Sequence, residues 1–150
     1  MNRVLSRTLC LLPVLLLLTA SQTAAQRMVS VVRDNVNMRS GAGTQHPAAW
    51  SLGRGYPLKV IGSLRGWLKV IDFENDTGWI HQPLTDRTPH HIVKVKVANM
   101  RSEPSTSSRI VAKLAYGDVL KTLKHSGDWV KLQREGGLRG WVARKLLWGW

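Results

Sequence analysis

The sequence predicts an all-β protein built as two small β-barrels in tandem. Three observations predict it. One pattern occurs twice at an offset of 62 residues. Each copy breaks into short β-rich runs separated by turns bearing Gly, Asn or Asp. After the N-terminal segment, no stretch shows an apolar stripe at helical spacing.

The first 25 residues stand apart from this pattern. Arg3 and Arg7 make a basic start, Leu9 to Leu18 is an apolar run broken only by Pro13, and Thr23-Ala24-Ala25 is a small-residue end. That order marks a secretory signal peptide cleaved near Ala25, and the run is too short to span a bilayer as a helix. The expected product is secreted or periplasmic, with no membrane span in the mature protein. The single cysteine, Cys10, lies inside this segment, so the mature chain has no thiol for a disulfide, a thiolate metal site or a nucleophile. Its folding then rests on packing, and each buried aromatic ring removes about 150–250 Å² from water.

The first barrel is expected over residues 27–85, a polar linker with Pro89 over 86–91, and the second barrel over 92–150. Asn37-Met38-Arg39-Ser40 recurs as Asn99-Met100-Arg101-Ser102. The same offset pairs Leu52 with Leu114, Gly55 with Gly117, Trp67 with Trp129 and Gly78-Trp79 with Gly140-Trp141. In the second copy Val93, Val95 and Val97 alternate with lysines, and the apolar parity then shifts to Ala98 and Met100, which predicts one strand with a bulge or sharp bend. Ser40–Pro47 and Ser102–Arg109 read as long loops, and about five strands per copy suit a strongly bent barrel.

These residues resemble the bacterial SH3 (SH3b) family. The resemblance rests on Asn37-Met38-Arg39-Ser40-Gly41-Ala42-Gly43-Thr44, Gly66-Trp67-Leu68-Lys69-Val70 and Gly78-Trp79 in the first copy. In the second it rests on Asn99-Met100-Arg101-Ser102-Glu103-Pro104, Asp128-Trp129-Val130-Lys131-Leu132 and Gly140-Trp141. It implies two SH3-like barrels of the kind that target cell-wall hydrolases to peptidoglycan. The copies differ at Gly41-Ala42-Gly43 against Glu103-Pro104-Ser105, and at Arg54-Gly55-Tyr56 against Tyr116-Gly117-Asp118.

The four matched tryptophans are expected in the cores. Trp50 has Ala112 as its counterpart and lies at a loop end, where a ring can stack on a sugar or peptide. Tyr56 and Tyr116 flank matched glycines, with Arg54 beside them. Arg39 and Arg101 either pin the long loop by bonding its carbonyls or face a ligand anion. The expected ligand-binding set is therefore Trp50, Arg54, Tyr56, Tyr116 and Arg101. Asp72, Glu74 and Asp76 alternate as if on one face of a strand, without the ligand order of a calcium loop. The histidines are scattered, so neither metal nor cofactor is expected. No nucleophile elbow or paired carboxylates appear, and the chain is expected not to be an enzyme.

Charge suggests the partner. Residues 27–88 carry eight Lys/Arg against five Asp/Glu, and residues 89–150 carry twelve against four. Such a surface attracts polyanions, and export disfavours nucleic acid as the physiological one. The expected function is non-catalytic binding of peptidoglycan or an anionic envelope polymer. The alternative is a periplasmic adaptor for an envelope protein such as a cell-wall enzyme or receptor.

Overall fold

The structure, a computed structural model, describes residues 27–150; the expected signal peptide lies outside the described residues. The chain is all-β, with two seven-stranded sheets, two short 3-10 turns and no α-helix among the described residues. The first sheet has the order β3-β2-β6-β5-β4-β1-β7. Its strands are β1 (Met28–Val31), β2 (Val36–Arg39), β3 (Ala48–Leu52), β4 (Pro57–Leu64), β5 (Trp67–Ile71), β6 (Thr77–His81) and β7 (Thr85–Asp86). The second repeats that order as β10-β9-β13-β12-β11-β8-β14. It contains β8 (His90–Val93), β9 (Val97–Arg101), β10 (Ile110–Ala115), β11 (Val119–Ser126), β12 (Trp129–Gln133), β13 (Arg139–Ala143) and β14 (Leu147–Gly149).

Two features differ from expectation. The Val93–Val97 segment is not one strand: the chain bends at residues 94–96, and β8 and β9 pair with opposite ends of the sheet. The parity shift in the sequence marks that bend. His90 and His91 belong to β8, so the stretch free of strand between the sheets is only 87–89. The additional strands β7 and β14 are short closing strands laid on β1 and β8. Through β14, the Trp148-Gly149-Trp150 end is zipped to β8, with Trp148 opposite Ile92.

The long strands β4 and β11 each carry a register shift at the matched place, between Val60 and Gly62 and between Thr122 and Lys124. A bulge sharpens local twist, and it lets one eight-residue strand serve both halves of a bent sheet.

Each core is aliphatic with one methionine at its centre. Met38 and Met100 are fully buried, the first among Val31, Val36, Leu58, Leu68 and Ile80, the second among Val93, Leu114, Leu120, Leu132 and Val142. None of the paired tryptophans joins these clusters; Trp141 is buried, as expected, but Trp67, Trp79 and Trp129 are only partly so, contrary to expectation. Strand alternation is the reason. Leu68 and Val70 take the inward positions of β5, so Trp67 points outward. On β6 the inward position beside Trp79 is Gly78, where a Cβ would lie 2.5 Å from Met38 Cγ and 3.1 Å from the Arg39 carbonyl oxygen. Gly140 is pinched by Met100 and Arg101 in the same way. The Gly-Trp pair therefore admits the core methionine on one face and leaves the indole on the other.

Candidate functional site

The long loop of each module is tied down by the matched arginine. Arg39 Nη1 donates to the His46 carbonyl at 2.8 Å, and Arg101 Nη1 to the Ser108 carbonyl at 2.8 Å. Backbone bonds from Ser40 to Pro47 and from Ser102 to Arg109 close the two loops at equivalent points. The loops are then filled differently. In the first, the His46 ring sits 2.7 Å from where a Cβ of Gly41 would be. In the second, Ser108 Oγ lies 2.8 Å from the carbonyls of Glu103 and Ser105.

Between this anchored loop and the outward tryptophan lies an open cleft, and it occurs in both modules. The first, about 480 Å³, is lined by Asn37, Arg39, Thr44, Gln45, Trp67 and His81 among others. Trp67 and His81 face each other across β5 and β6 with ring centroids 5.1 Å apart. The second cleft, about 510 Å³, is lined by Thr106, Asp128, Trp129, Ala143, Arg144 and Lys145. Thr44, Trp67 and His81 become Thr106, Trp129 and Ala143 at the repeat offset. Two independent copies keep a cleft at one place in the fold, each with one indole wall and one polar loop wall. That combination suits a ligand with an apolar or ring face and several hydrogen-bonding groups. A third opening, about 330 Å³ between the modules, is lined by Asp34, Arg54, His90, Lys121, Arg134 and Glu135.

The residues expected from sequence do not gather at one place. Trp50 is 50% exposed on edge strand β3, opposite Met38, where the second module has Ala112 packed toward its core. Arg54 lines the opening between the modules, and its backbone N–H donates to Asp34 Oδ1 at 2.8 Å. Arg101 holds its loop. Tyr56 and Tyr116 meet at the joint between the modules, with Phe73 between them at centroid distances of 6.3 and 5.2 Å. Tyr116 donates its hydroxyl to Glu74, and Tyr56 donates to Asp72 at 3.4 Å. Burial first, then the nearby Asp72 carboxylate, pushes the Tyr56 hydroxyl well above its ordinary value. The bond to Glu74 pushes Tyr116 in the same direction.

Asp72, Glu74 and Asp76 do not share a strand face as the alternation implied; the chain turns there and draws their carboxylates within 4.8 Å of one another. Asp72 is 5% exposed, and its Oδ1 accepts the backbone N–H of both Glu74 and Asp76 at 2.9 Å. The cluster thus organises the β5–β6 turn and presents Glu74 to Tyr116.

The cleft residues Asn37, Thr44, Gln45, Trp67 and His81 were missed by sequence reasoning. The signal was present in Trp67-Leu68-Lys69-Val70, because Leu68 and Val70 already claim the inward parity.

Two small barrels, each with an arginine-anchored loop beside an outward tryptophan, define a pair of like β modules. Residues 32–86 and residues 96–147 each match the bacterial SH3 domain family, and the chain belongs to that family as a tandem pair. A protein of Bacillus subtilis (strain 168) named as an N-acetylmuramoyl-L-alanine amidase, YrvJ, is 26% identical over 147 residues. The alignment covers 86% of this chain and 28% of that protein, so the chain spans under a third of its relative's length. Among solved structures, an NlpC/P60 family protein from Bacillus cereus aligns over 83% of this chain and 56% of its own, at 11% identity and a TM-score of 0.39. NlpC2 from Trichomonas vaginalis aligns over 83% and 48%, at 18% identity and a TM-score of 0.36.

The family matches and the amidase alignment associate the chain with the cell wall and correct one expectation. The chain was expected not to be an enzyme, because its sequence shows neither a nucleophile elbow nor paired carboxylates. The chain aligns over 86% of its length with a protein named as an amidase, and that finding overturns the expectation. Since the pair makes up only 28% of that relative, the residues of the modules alone could not decide the matter. No helix among the described residues is long and apolar enough to cross a membrane.

Proposed function

We propose that this chain acts in cell-wall hydrolysis, its two modules holding a hydrolase of the amidase class against peptidoglycan. The observation that carries this reading is the cleft repeated at Thr44, Trp67 and His81 and at Thr106, Trp129 and Ala143. An indole wall suits the ring face of a sugar or the apolar part of a peptide stem. The loop side chains and the neighbouring Arg39, His81, Arg144 and Lys145 suit its amides and carboxylates. Trp50 adds an exposed ring on the first module for a second sugar or peptide contact. Two clefts on one chain raise retention on a repeating polymer, because the second encounter is intramolecular.

The test is retention on purified sacculi in high salt, where long-range charge attraction is screened. Trp67→Ala and Trp129→Ala should each weaken binding about tenfold, and the double variant should abolish retention. Retention of the double variant at the wild-type level would refute the reading.

A further inference from the structure

The outer face of the second sheet is cationic in a way the first is not. Residues opposite one another across five strands run Ile110, Arg101, Trp141, Lys131 and Lys124. The next row carries Arg139, Gln133 and Lys121, and Lys113 stands opposite Asn99. The alternation is fixed by the buried Ala98, Met100, Leu120, Val130, Leu132 and Val142, so the cations between them face out. Lys113, Lys121, Lys124 and Arg139 are exposed. Lys131 is half-buried, with Nζ 5.8 Å from the centre of the Trp141 ring. The four acidic residues of 89–150, Glu103, Asp118, Asp128 and Glu135, all sit in turns or loops outside the strands. At the equivalent positions the first module has Ser51, Lys59, Gly62, Lys69 and Thr77.

We propose that this face docks a linear anionic polymer of the cell wall. Arg101 is matched by Arg39 and anchors its loop; of the other five cations, Lys113, Lys124 and Arg139 exist only in the second copy, so the fold does not require them. Four of the five are lysines, whose compact charges on flexible stems register charge density and not the planar shape of one head group. Neighbours lie about 4.8 Å apart across strands and about 7 Å apart along them, a grid that follows a chain of carboxylates or phosphodiesters. Trp141, at the centre, is only 9% exposed. The middle of the face is therefore flat and charged, and the exposed apolar side chains Ile110 and Leu123 lie on the flanking strands β10 and β11. The proposal rests on the reading that the protein works at the wall, and it gives the second module a task separate from its cleft.

The test uses the full chain titrated with poly-L-glutamate and with linear polyphosphate over a range of salt concentrations. Vesicles containing phosphatidylglycerol form a third arm. Two variants lose the same charge: K113Q/K121Q/K124Q/R139Q on the face, and K94Q/K96Q/R109Q/R134Q elsewhere on the second module. All eight side chains are exposed, and near-ultraviolet circular dichroism checks that each variant keeps its packing. The face variant should bind the polymers at least about tenfold more weakly. Its logarithmic salt slope should fall by about one unit per cation removed. The control should lose less than about threefold. Equal losses in the two variants would overturn the proposal, because net charge alone would then explain binding. So would wild-type binding to vesicles with neither polymer bound. High-salt retention on sacculi reads the clefts instead, so wild-type retention of the Trp67→Ala/Trp129→Ala double variant with polymer binding intact refutes the cleft reading and leaves this one supported.

Discussion

The two modules share a fold and differ at the edge of the core. In the first, Val29 on β1 and Val60 on β4 pack apolar against apolar. At the same two positions the second has His91, 2% exposed, with its Nδ1 2.7 Å from Thr122 Oγ1. Burial first, then His125 and Arg144 nearby, pushes the His91 imidazole down to about 4. The barrel thus accepts a hydrogen-bonded polar pair in place of two valines, but the second module then depends on His91 staying neutral. Tandem copies of one fold need not share one stability profile.

The largest expected effect tests what the copies have in common. Met38→Ala and Met100→Ala should each cost about 3 kcal/mol, since each empties the centre of its core. Urea unfolding should show each variant losing mainly its own module. If Met100→Ala unfolds both modules together, the two barrels form one cooperative unit.

Next comes the pH dependence that separates them. The His91 pKa is lower in the folded state than the ordinary 6.5 of the unfolded chain, so between those values the unfolded state binds more protons. Its contribution to stability is full above about pH 6.5 and is lost as pH falls toward 4, by about 3 kcal/mol. The double variant H91V/T122V writes the first module's pair into the second and should remove this part of the pH dependence. Urea midpoints at pH 7 and pH 4.5 measure it, and an unchanged pH profile in the variant would break the comparison.

The loops give a smaller difference. Arg39→Ala and Arg101→Ala should each cost about 2 kcal/mol, because each removes a charged donor from a loop carbonyl. Equal losses of stability with unchanged polymer binding would leave both arginines as loop anchors. A loss of binding in Arg101→Ala at constant stability would make it a ligand contact. The smallest effect belongs to the joint. Phe73→Ala should cost about 1 kcal/mol of coupling between the modules. Calorimetry should show the transitions of the two modules moving further apart.

The joint also shows where sequence reading stops. Phe73, Tyr116, Tyr56 and His90 have Glu135, Arg54, Asp118 and Met28 as their repeat counterparts, so none of the four is part of the shared pattern. Tyr56 and Tyr116 stood out in the sequence as unmatched aromatics beside matched glycines, and their contact through Phe73 was not legible. His90 packs its ring 2.8 Å from where a Cβ of Gly55 would be, whereas Gly117 has nothing within 4 Å. One glycine of the pair meets two demands, a positive φ of 78° and a close approach, and the other only the first, with φ 83°.

The sequence by itself determined the fold class, the tandem, the inward methionines and the turns. These depend on local periodicity and on turn chemistry, which repeat visibly at 62 residues. It also determined the charge asymmetry that marks the second module. Only the tertiary structure decided which face each tryptophan occupies, that the matched arginines anchor loops, and that the lysines of β10, β11 and β12 share a face. Those facts depend on strand register and on which strands become neighbours. Register arises from contacts between residues far apart in the chain, and no local pattern encodes them.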